Sequence, residues 1–443
     1  MTYMTPVESH LHRLIKAASD IGTDMWPSVL DVRTGRFPAQ EHVPSRTYRL
    51  IGAPNGSTLY WDQPLVVAAT RLSQITGKSK YTAAADRYIE AFLAECVAEN
   101  GMFRWGNHQY YDLLEKKVIE FSGGHHEIRP ITPAWDFFWE HDREKTASYI
   151  RAMARRHVYD RKTGGFNRHD DGNKSHAFLE SGGILVESLA WLFSRTQDEE
   201  FRDLALRIAL YSYKHRDPST GLVVNEPDTQ RWDSEVSTTE VGLWARCLLQ
   251  AAEYAEDDEF AEMATTATKS YLENGYDRGK NRYFGQLKVD TGEPVLPNGT
   301  GYWPRKYSDP WNTDQWPTHD YPMPLAETCL ILHERTEDAI FPEAAHRWAR
   351  IVIETSPEKT GKWAYAENYG RSIRFLTRAA LQLGEDRYMC SASTLADQAV
   401  QNLYENGMFK GEPNGHFYES VDGVGFLVLG LILLETGGQP DGI

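Results

Sequence analysis

The sequence predicts an all-α protein, an (α/α)6 or (α/α)7 toroid of repeated antiparallel helical hairpins. Three observations predict it. Apolar residues recur at i, i+3 and i+4 along most of the chain, the spacing of one buried helix face. Short polar turns join these windows in pairs: T-G-K-S-K-Y at 76–81, T-Q-D-E-E-F at 196–201, A-E-D-D-E-F at 255–260, T-E-D-A-I-F at 336–341 and L-G-E-D-R-Y at 383–388. A turn that short makes its two helices antiparallel neighbours. Each pair then ends in a Gly or Asn followed by apolar or aromatic residues, at Gly101, Gly164, Gly221, Asn281, Gly361 and Gly407.

In chain order, a first helix is expected over 7–21, followed by an irregular N-terminal arm at 22–60 rich in Pro, Gly and Arg. A helix opening near Asp62 carries Leu65, Val66, Ala69 and Leu72 on one face and stops at the first polar turn; its partner runs to about Val97. A weaker turn lies at 141–145, and a last helix is expected over 417–434. The sum is fourteen helices in six or seven pairs. Repeats of this kind cannot bury their apolar faces alone and must stack on their neighbours, so 1–443 reads as one domain. The short turns hold solvated charge and the long loops hold His, Arg, Trp, Tyr and carboxylates, which points to a site built from the long loops.

The chain has 443 residues, 41% hydrophobic and 12% aromatic, with a net charge of -16. That charge argues against a nucleic acid or anionic membrane as partner, because both demand a basic face, while leaving room for a polyanion in a local basic pocket. Cys96, Cys247, Cys329 and Cys390 are widely spaced with no CxxC, as in a cytoplasmic protein with reduced thiols. No signal sequence and no long apolar run is visible, so a cytoplasmic location is expected.

The repeats resemble two groups of (α/α)-barrel carbohydrate enzymes. T-T-E-V-G-L-W at 238–244, G-Y-D-R-G-K-N-R-Y-F-G at 275–285 and P-M-P-L-A-E at 322–327 are similar to the N-acylglucosamine 2-epimerase superfamily, although Thr238 and Thr239 stand where those enzymes carry a catalytic His. L-Y-W-D-Q-P at 59–64, the 76–81 turn, G-M-F-R-W-G-N-H-Q-Y-Y-D at 101–112 and R-P-I-T-P-A-W at 129–135 resemble the unsaturated glucuronyl and rhamnogalacturonyl hydrolases. The resemblance implies a toroid that acts on sugars.

The segment 100–138 is the densest in chemistry. Asp62, at a helix start between Trp61 and Gln63, is expected as an acid or base, a role compatible with an N-terminal cap. His108 is expected as a base or sugar ligand, flanked by Trp105, Tyr110 and Tyr111; His126 and Glu127 join it as candidate catalytic groups beside Arg129. The spacing is not that of a zinc helix, and no metal or cofactor is expected. The next loop offers Arg168, His169, His176 and Glu180, with Gly182 and Gly183 implying close approach of a helix or ligand. Trp232 and Glu240 follow, then Trp303, Arg305, Trp311, Trp316, His319 and Asp320, the last a candidate second carboxylate; Tyr369, Arg371 and Tyr418 complete the substrate-binding set. Aromatics suit sugar faces, and arginines on separate loops suit the carboxylate of a uronate.

The expected ligand is therefore an oligosaccharide, with oligomeric state unassigned. The expected activity is hydrolysis of a glycosidic bond in a uronate-containing oligosaccharide. The alternatives are a lyase using His108 with Tyr110 or Tyr111, an epimerase or isomerase in which His176 and His319 move a proton, and a non-catalytic glycan-binding toroid.

Overall fold

A computed structural model describes residues 2–39, 54–106, 108–120, 123, 125–174, 176–228, 232–297, 305–313 and 322–438. Fifteen α-helices lie among them. In chain order the elements are α1 (Met4–Asp20), β1 (Val29–Asp31), β2 (Gly56–Ser57), α2 (Leu59–Thr76), α3 (Lys80–Glu95), β3 (Gln109–Asp112), β4 (Lys117–Glu120), α4 (Trp135–His141), α5 (Arg143–Arg156), β5 (Val158–Asp160), β6 (Gly165–Phe166), α6 (Leu179–Thr196), α7 (Glu199–Lys214), β7 (Glu235–Ser237), α8 (Thr238–Ala255), α9 (Asp258–Asn274), β8 (Tyr276–Asp277), β9 (Arg282–Tyr283) and β10 (Gln286–Lys288). Then come α10 (Met323–Arg335), α11 (Ile340–Glu354), the single turn α12 (Pro357–Thr360), α13 (Ala366–Leu383), α14 (Asp386–Leu403), β11 (Tyr404–Glu405), β12 (Met408–Phe409), β13 (Phe417–Glu419) and α15 (Val424–Glu435).

The polar turns are helix ends with a defined conformation. Gly77, Gln197, Glu256 and Gly384 close α2, α6, α8 and α13 in the left-handed region, each returning its N–H to the preceding helical turn. Asp198 and Asp257 then cap α7 and α9 by accepting from Glu200 N and Glu259 N. The marks after each pair have an equally local cause. Gly101, Gly164, Gly221, Asn281, Gly361 and Gly407 all have positive φ. Several of them turn a short β-ribbon: β5–β6, β8–β9 and β11–β12 are antiparallel pairs that return the chain toward its next helix.

Two kinds of helix result. In α2, α6, α8, α10 and α15 nearly every residue of the first turns is buried, as all-round apolar helices require. In α3, α7, α9, α11 and α14 burial is confined to one stripe.

The chain divides into two compact units. The first comprises residues 1–127, 131–149 and 357–443, and packs α15 between α13 and α2, with α3 and α14 outside them. The second comprises 128–130 and 150–356, and packs α6, α8 and α10 in a row, backed by α7, α9 and α11. Backbone approach sets the spacing of that row. A Cβ on Gly183 would lie 2.9 Å from Trp244 Cα, and one on Gly242 would lie 2.4 Å from Leu325 N. Gly183 thus answers to a neighbouring helix. Gly242→Ala is expected to destabilise the second unit by about 1–3 kcal/mol through overpacking, read from urea unfolding.

Two sequence expectations are corrected. Residues 417–419 form a strand, not the start of the last helix, because they pair antiparallel with β1 in the register Val29↔Glu419, Leu30↔Tyr418 and Asp31↔Phe417. Gly423, at φ 74, breaks the chain before α15 begins. The arm at 22–60 is partly ordered into β1, paired with β13, and β2, paired with β3. Among the described residues no helix is long and apolar enough to cross a membrane.

Candidate functional site

In the first unit, β2, β3 and β4 form one antiparallel sheet, with Ser57 opposite Tyr111 and Tyr110 opposite Ile119. Asn55 Nδ2 donates to Asp112 Oδ1 at 2.7 Å and ties the sheet to the approach to α2. The sheet places His108 at the start of β3, where its Nε2 lies 3.3 Å from Glu127 Oε2. The ring of His125 sits 4.3 Å from that of His108. The Glu127 side chain is 3% exposed and that of His108 is 18% exposed, so the carboxylate is sheltered while the imidazole stays reachable. Two neighbouring imidazoles, one of them braced by a carboxylate, offer nitrogen donors of the kind that binds a divalent transition metal. Sequence spacing around the His pair at 125–126 hid this, because His108 comes from a different loop.

His126 faces the other way. Its Nε2 lies 2.6 Å from Tyr149 Oη, and Trp105 Nε1 donates to the same hydroxyl at 2.9 Å. The Trp105 indole packs against Tyr60, Phe92, Phe103 and Phe138, so both residues are buried in an aromatic cluster.

Asp62 is fully buried. Tyr88 Oη donates to its Oδ2 at 2.7 Å, Tyr418 Oη reaches Oδ1 at 3.5 Å, and Ser57 Oγ sits 2.9 Å from the Tyr88 hydroxyl. Burial pushes the Asp62 carboxyl up to about 8, against hydrogen bonds from Tyr88, Ser420 and Tyr418 that favour the anion. Burial and the nearby Asp62 charge in turn hold the Tyr88 and Tyr418 phenols well above the usual range. Tyr88 was not singled out in the sequence, since its place on α3 reads as a core position.

Gln63 is a brace: its Oε1 accepts from Ala134 N at 2.8 Å and its Nε2 donates to Tyr60 O at 3.0 Å. Trp61 and Ile119 pack against Tyr110 and Val421. Tyr369 is buried beside Asn402, while Arg371 bonds Glu367 at 3.0 Å and lies 3.8 Å over the Phe426 ring.

The second unit gathers a separate group. Glu180 N, in the first turn of α6, donates to Glu240 Oε2 at 3.0 Å, and Glu226 Oε1 lies 3.3 Å from His176 Nδ1. Glu180, Glu226 and Glu240 are all buried. Burial first, then the Glu180 charge, holds the Glu240 carboxyl well above the carboxylate range, and Arg168 works in the opposite sense. Glu240 Oε1 has no hydrogen-bond partner among the described residues. Arg168 lies 4.5 Å over Phe178, which packs on Trp232, and its N–H bonds His176 O at 3.0 Å. His169 stands edge-on to His176 at 5.4 Å. Arg168, His169, His176, Glu180, Trp232 and Glu240 are therefore brought together, as their loops suggested. Glu226 was missed: its signal was G-L-V-V-N-E-P, which reads only as a hairpin mark.

Arg129 is buried in this unit; its neighbour Ile128 bonds Arg168 O at 2.9 Å. Arg305 is ion-paired with Asp309, and Trp311 is buried, donating to Val352 O at 3.0 Å. Trp303, Trp316, His319 and Asp320 lie outside the described residues.

A family model described as periplasmic pectate lyase matches residues 57–180. A pectate disaccharide-lyase of Dickeya dadantii (strain 3937) is 31% identical over 126 residues, which is 27% of this chain and 23% of that protein. The chain thus matches less than a quarter of that curated relative's length. A solved GH76 α-mannanase of Bacteroides thetaiotaomicron superposes with a TM-score of 0.52 at 11% identity, covering 98% of this chain and 96% of that one. An unsaturated glucuronyl hydrolase specific for heparin superposes with a TM-score of 0.51 at 10% identity, again over 98% and 96%. These likenesses fix the fold class: the chain has the all-α (α/α) toroid fold seen among carbohydrate enzymes.

Proposed function

We propose that this protein is a sugar-cleaving enzyme that opens uronate-containing oligosaccharides of the pectate type by β-elimination. The reading rests on one observation: the stretch similar to pectate lyases, 57–180, contains His108, His125 and Glu127 together with the sheet that positions them. In β-elimination a base removes the proton at C5, the bond from C4 to the glycosidic oxygen breaks, and that oxygen leaves with a proton. The product carries a C4=C5 double bond. The C5 proton is acidic enough only when the adjacent carboxylate is neutralised.

His108 oriented by Glu127 is a base with its positioning carboxylate. His125, whose ring lies beside that of His108, adds a second imidazole donor suited to a cation. We therefore assign His108 and His125 to holding a divalent cation, with Glu127 orienting His108. Bound there, the cation supplies positive charge against the uronate carboxylate. The protein's own contribution is to shelter Glu127 and to fix His108 at the start of β3. Dialysis against EDTA is expected to abolish product formation, and added Mn²⁺ or Co²⁺ to restore it; full activity after EDTA would return His108 to the role of base.

Hydrolysis is the second reading, favoured by Asp62, whose carboxyl keeps its proton near neutral pH. Polygalacturonate turnover followed by ultraviolet absorbance and by reducing ends separates the two. Both signals rise for a lyase. Reducing ends without absorbance would overturn the lyase assignment in favour of the hydrolase.

A further inference from the structure

A surface pocket of about 760 Å³ in the second unit belongs to none of the groups described so far. The β5–β6 hairpin forms one wall and the C-terminal half of α7 the other, with Asp228 at the rim. Four of its lining residues are cations: Lys162, Lys174, Arg207 and Lys214. Among the described residues none of the four makes a salt bridge, and Arg207 Nε is buried without a hydrogen-bond partner.

The two carboxylates of the pocket are committed to local structure. Asp160 Oδ1 accepts from Lys162 N at 2.9 Å and Thr163 N at 3.3 Å, which closes the hairpin turn. Asp228, at φ 62, accepts from Tyr211 Oη at 3.1 Å and faces His215 at 3.4 Å. In a chain of net charge -16, a cavity with four cations and two engaged carboxylates is a local reversal of sign.

The wall is also built. A Cβ on Gly164 would lie 2.2 Å from Arg207 O, so the hairpin turn seats directly on the α7 backbone. That seating fixes Tyr159, whose hydroxyl lies 3.1 Å from that of Tyr211 and whose ring has Lys174 Nζ 5.7 Å above it. The volume lies within the ordinary range for small-molecule sites. A flat aromatic wall beside several uncompensated cations suits a ring that bears a carboxylate.

We propose that this pocket is a second, non-catalytic binding site for the carboxylated sugar units of an oligosaccharide. It rests on the uronate reading of the substrate, and it would hold a long chain by units remote from the bond being cleaved. Multivalent attachment of this kind raises the local concentration of the polymer without any change in the chemistry.

The test is titration calorimetry of trigalacturonate into the Glu127→Gln protein, to prevent turnover, with and without Lys174→Gln and Lys214→Gln. Both lysines are exposed, so the fold should survive their substitution. The expected result is loss of one binding event, weakened at least tenfold, in the lysine variants. Tyr159→Leu should weaken the same event. In the Glu127→Gln background, isotherms unaffected by the lysine changes would overturn the pocket. So would equally effective displacement by inorganic phosphate, which would mark an anion site blind to sugar.

The lysine changes in the otherwise wild-type chain should leave turnover of trigalacturonate within about twofold. Binding that depends on the lysines without any unsaturated product would keep the pocket and overturn the lyase. Product formation with lysine-independent isotherms would do the reverse.

Discussion

Glu127→Gln is expected to lower the rate of unsaturated-product formation from polygalacturonate by about 10²–10⁴-fold, with the fold intact. The substitution keeps the size of the side chain and removes only its charge. Glu127 is buried and lies 3.3 Å from His108, so the lost charge is not replaced by solvent. A neutral amide accepts only weakly from an imidazole N–H, and it cannot stabilise a charged imidazole. The loss is therefore expected whether His108 helps to hold a cation or takes the proton. His125→Ala separates those roles, because only the cation arrangement uses it, and there it should cost at least tenfold. The measurement is kcat/KM from absorbance, with circular dichroism as the fold control. A Glu127→Gln protein within threefold of wild type would remove the whole cluster from the chemistry.

What could be read in the sequence follows from how local each signal is. The hairpin turns and the marks after them were legible because each is a residue in a special backbone conformation. Gly77 and Gly384 end helices, and Gly164 and Gly407 turn ribbons, without help from distant parts of the chain. The loop group Arg168, His169, His176 and Glu180 was legible for the same reason, being close in sequence. What escaped was long-range. Strand β13 lies in a stretch that runs on into an apolar helix, and only β1, nearly 400 residues earlier, makes it a strand. The meeting of His108 with Glu127 depends on the β3–β4 sheet carrying the chain out and back, which residue spacing does not reveal. Glu226 was hidden in a segment whose apolar neighbours dominate its pattern. Asp62 illustrates a third limit. Its place at a helix start was clear, but its complete burial under Tyr88 and Tyr418 is a tertiary fact with a large electrostatic consequence.

That consequence is the second large effect. In the unfolded chain Asp62 ionises near its ordinary 3.8, and in the folded protein it keeps its proton to about 8. Between those limits the folded state binds one more proton than the unfolded state, so stability falls as pH rises from about 4 to about 8 and is level on either side. At ~1.4 kcal/mol for each step of one in pKa, the fall attributable to this group is on the order of 5 kcal/mol. Glu187, pushed up to about 7 by burial in the second unit, acts in the same direction, so the wild-type curve alone does not isolate Asp62. The difference between wild type and Asp62→Asn does. The amide carbonyl still accepts from Tyr88, and the variant has no charge to bury. Urea unfolding from pH 4.5 to 8.5 should show the variant equal to or below wild type at the acid end and more stable by several kcal/mol at pH 8. Parallel curves would mean that Asp62 is ionised in the fold and that its hydrogen bonds carry the anion. The same variant bears on the chemistry. If the protein is a lyase, Asp62 joins α2 to α3 and β13 rather than touching substrate, and Asp62→Asn should keep product formation within a few-fold. Loss of all sugar cleavage in a variant that is more stable than wild type at pH 8 would instead make Asp62 the proton donor of a hydrolase.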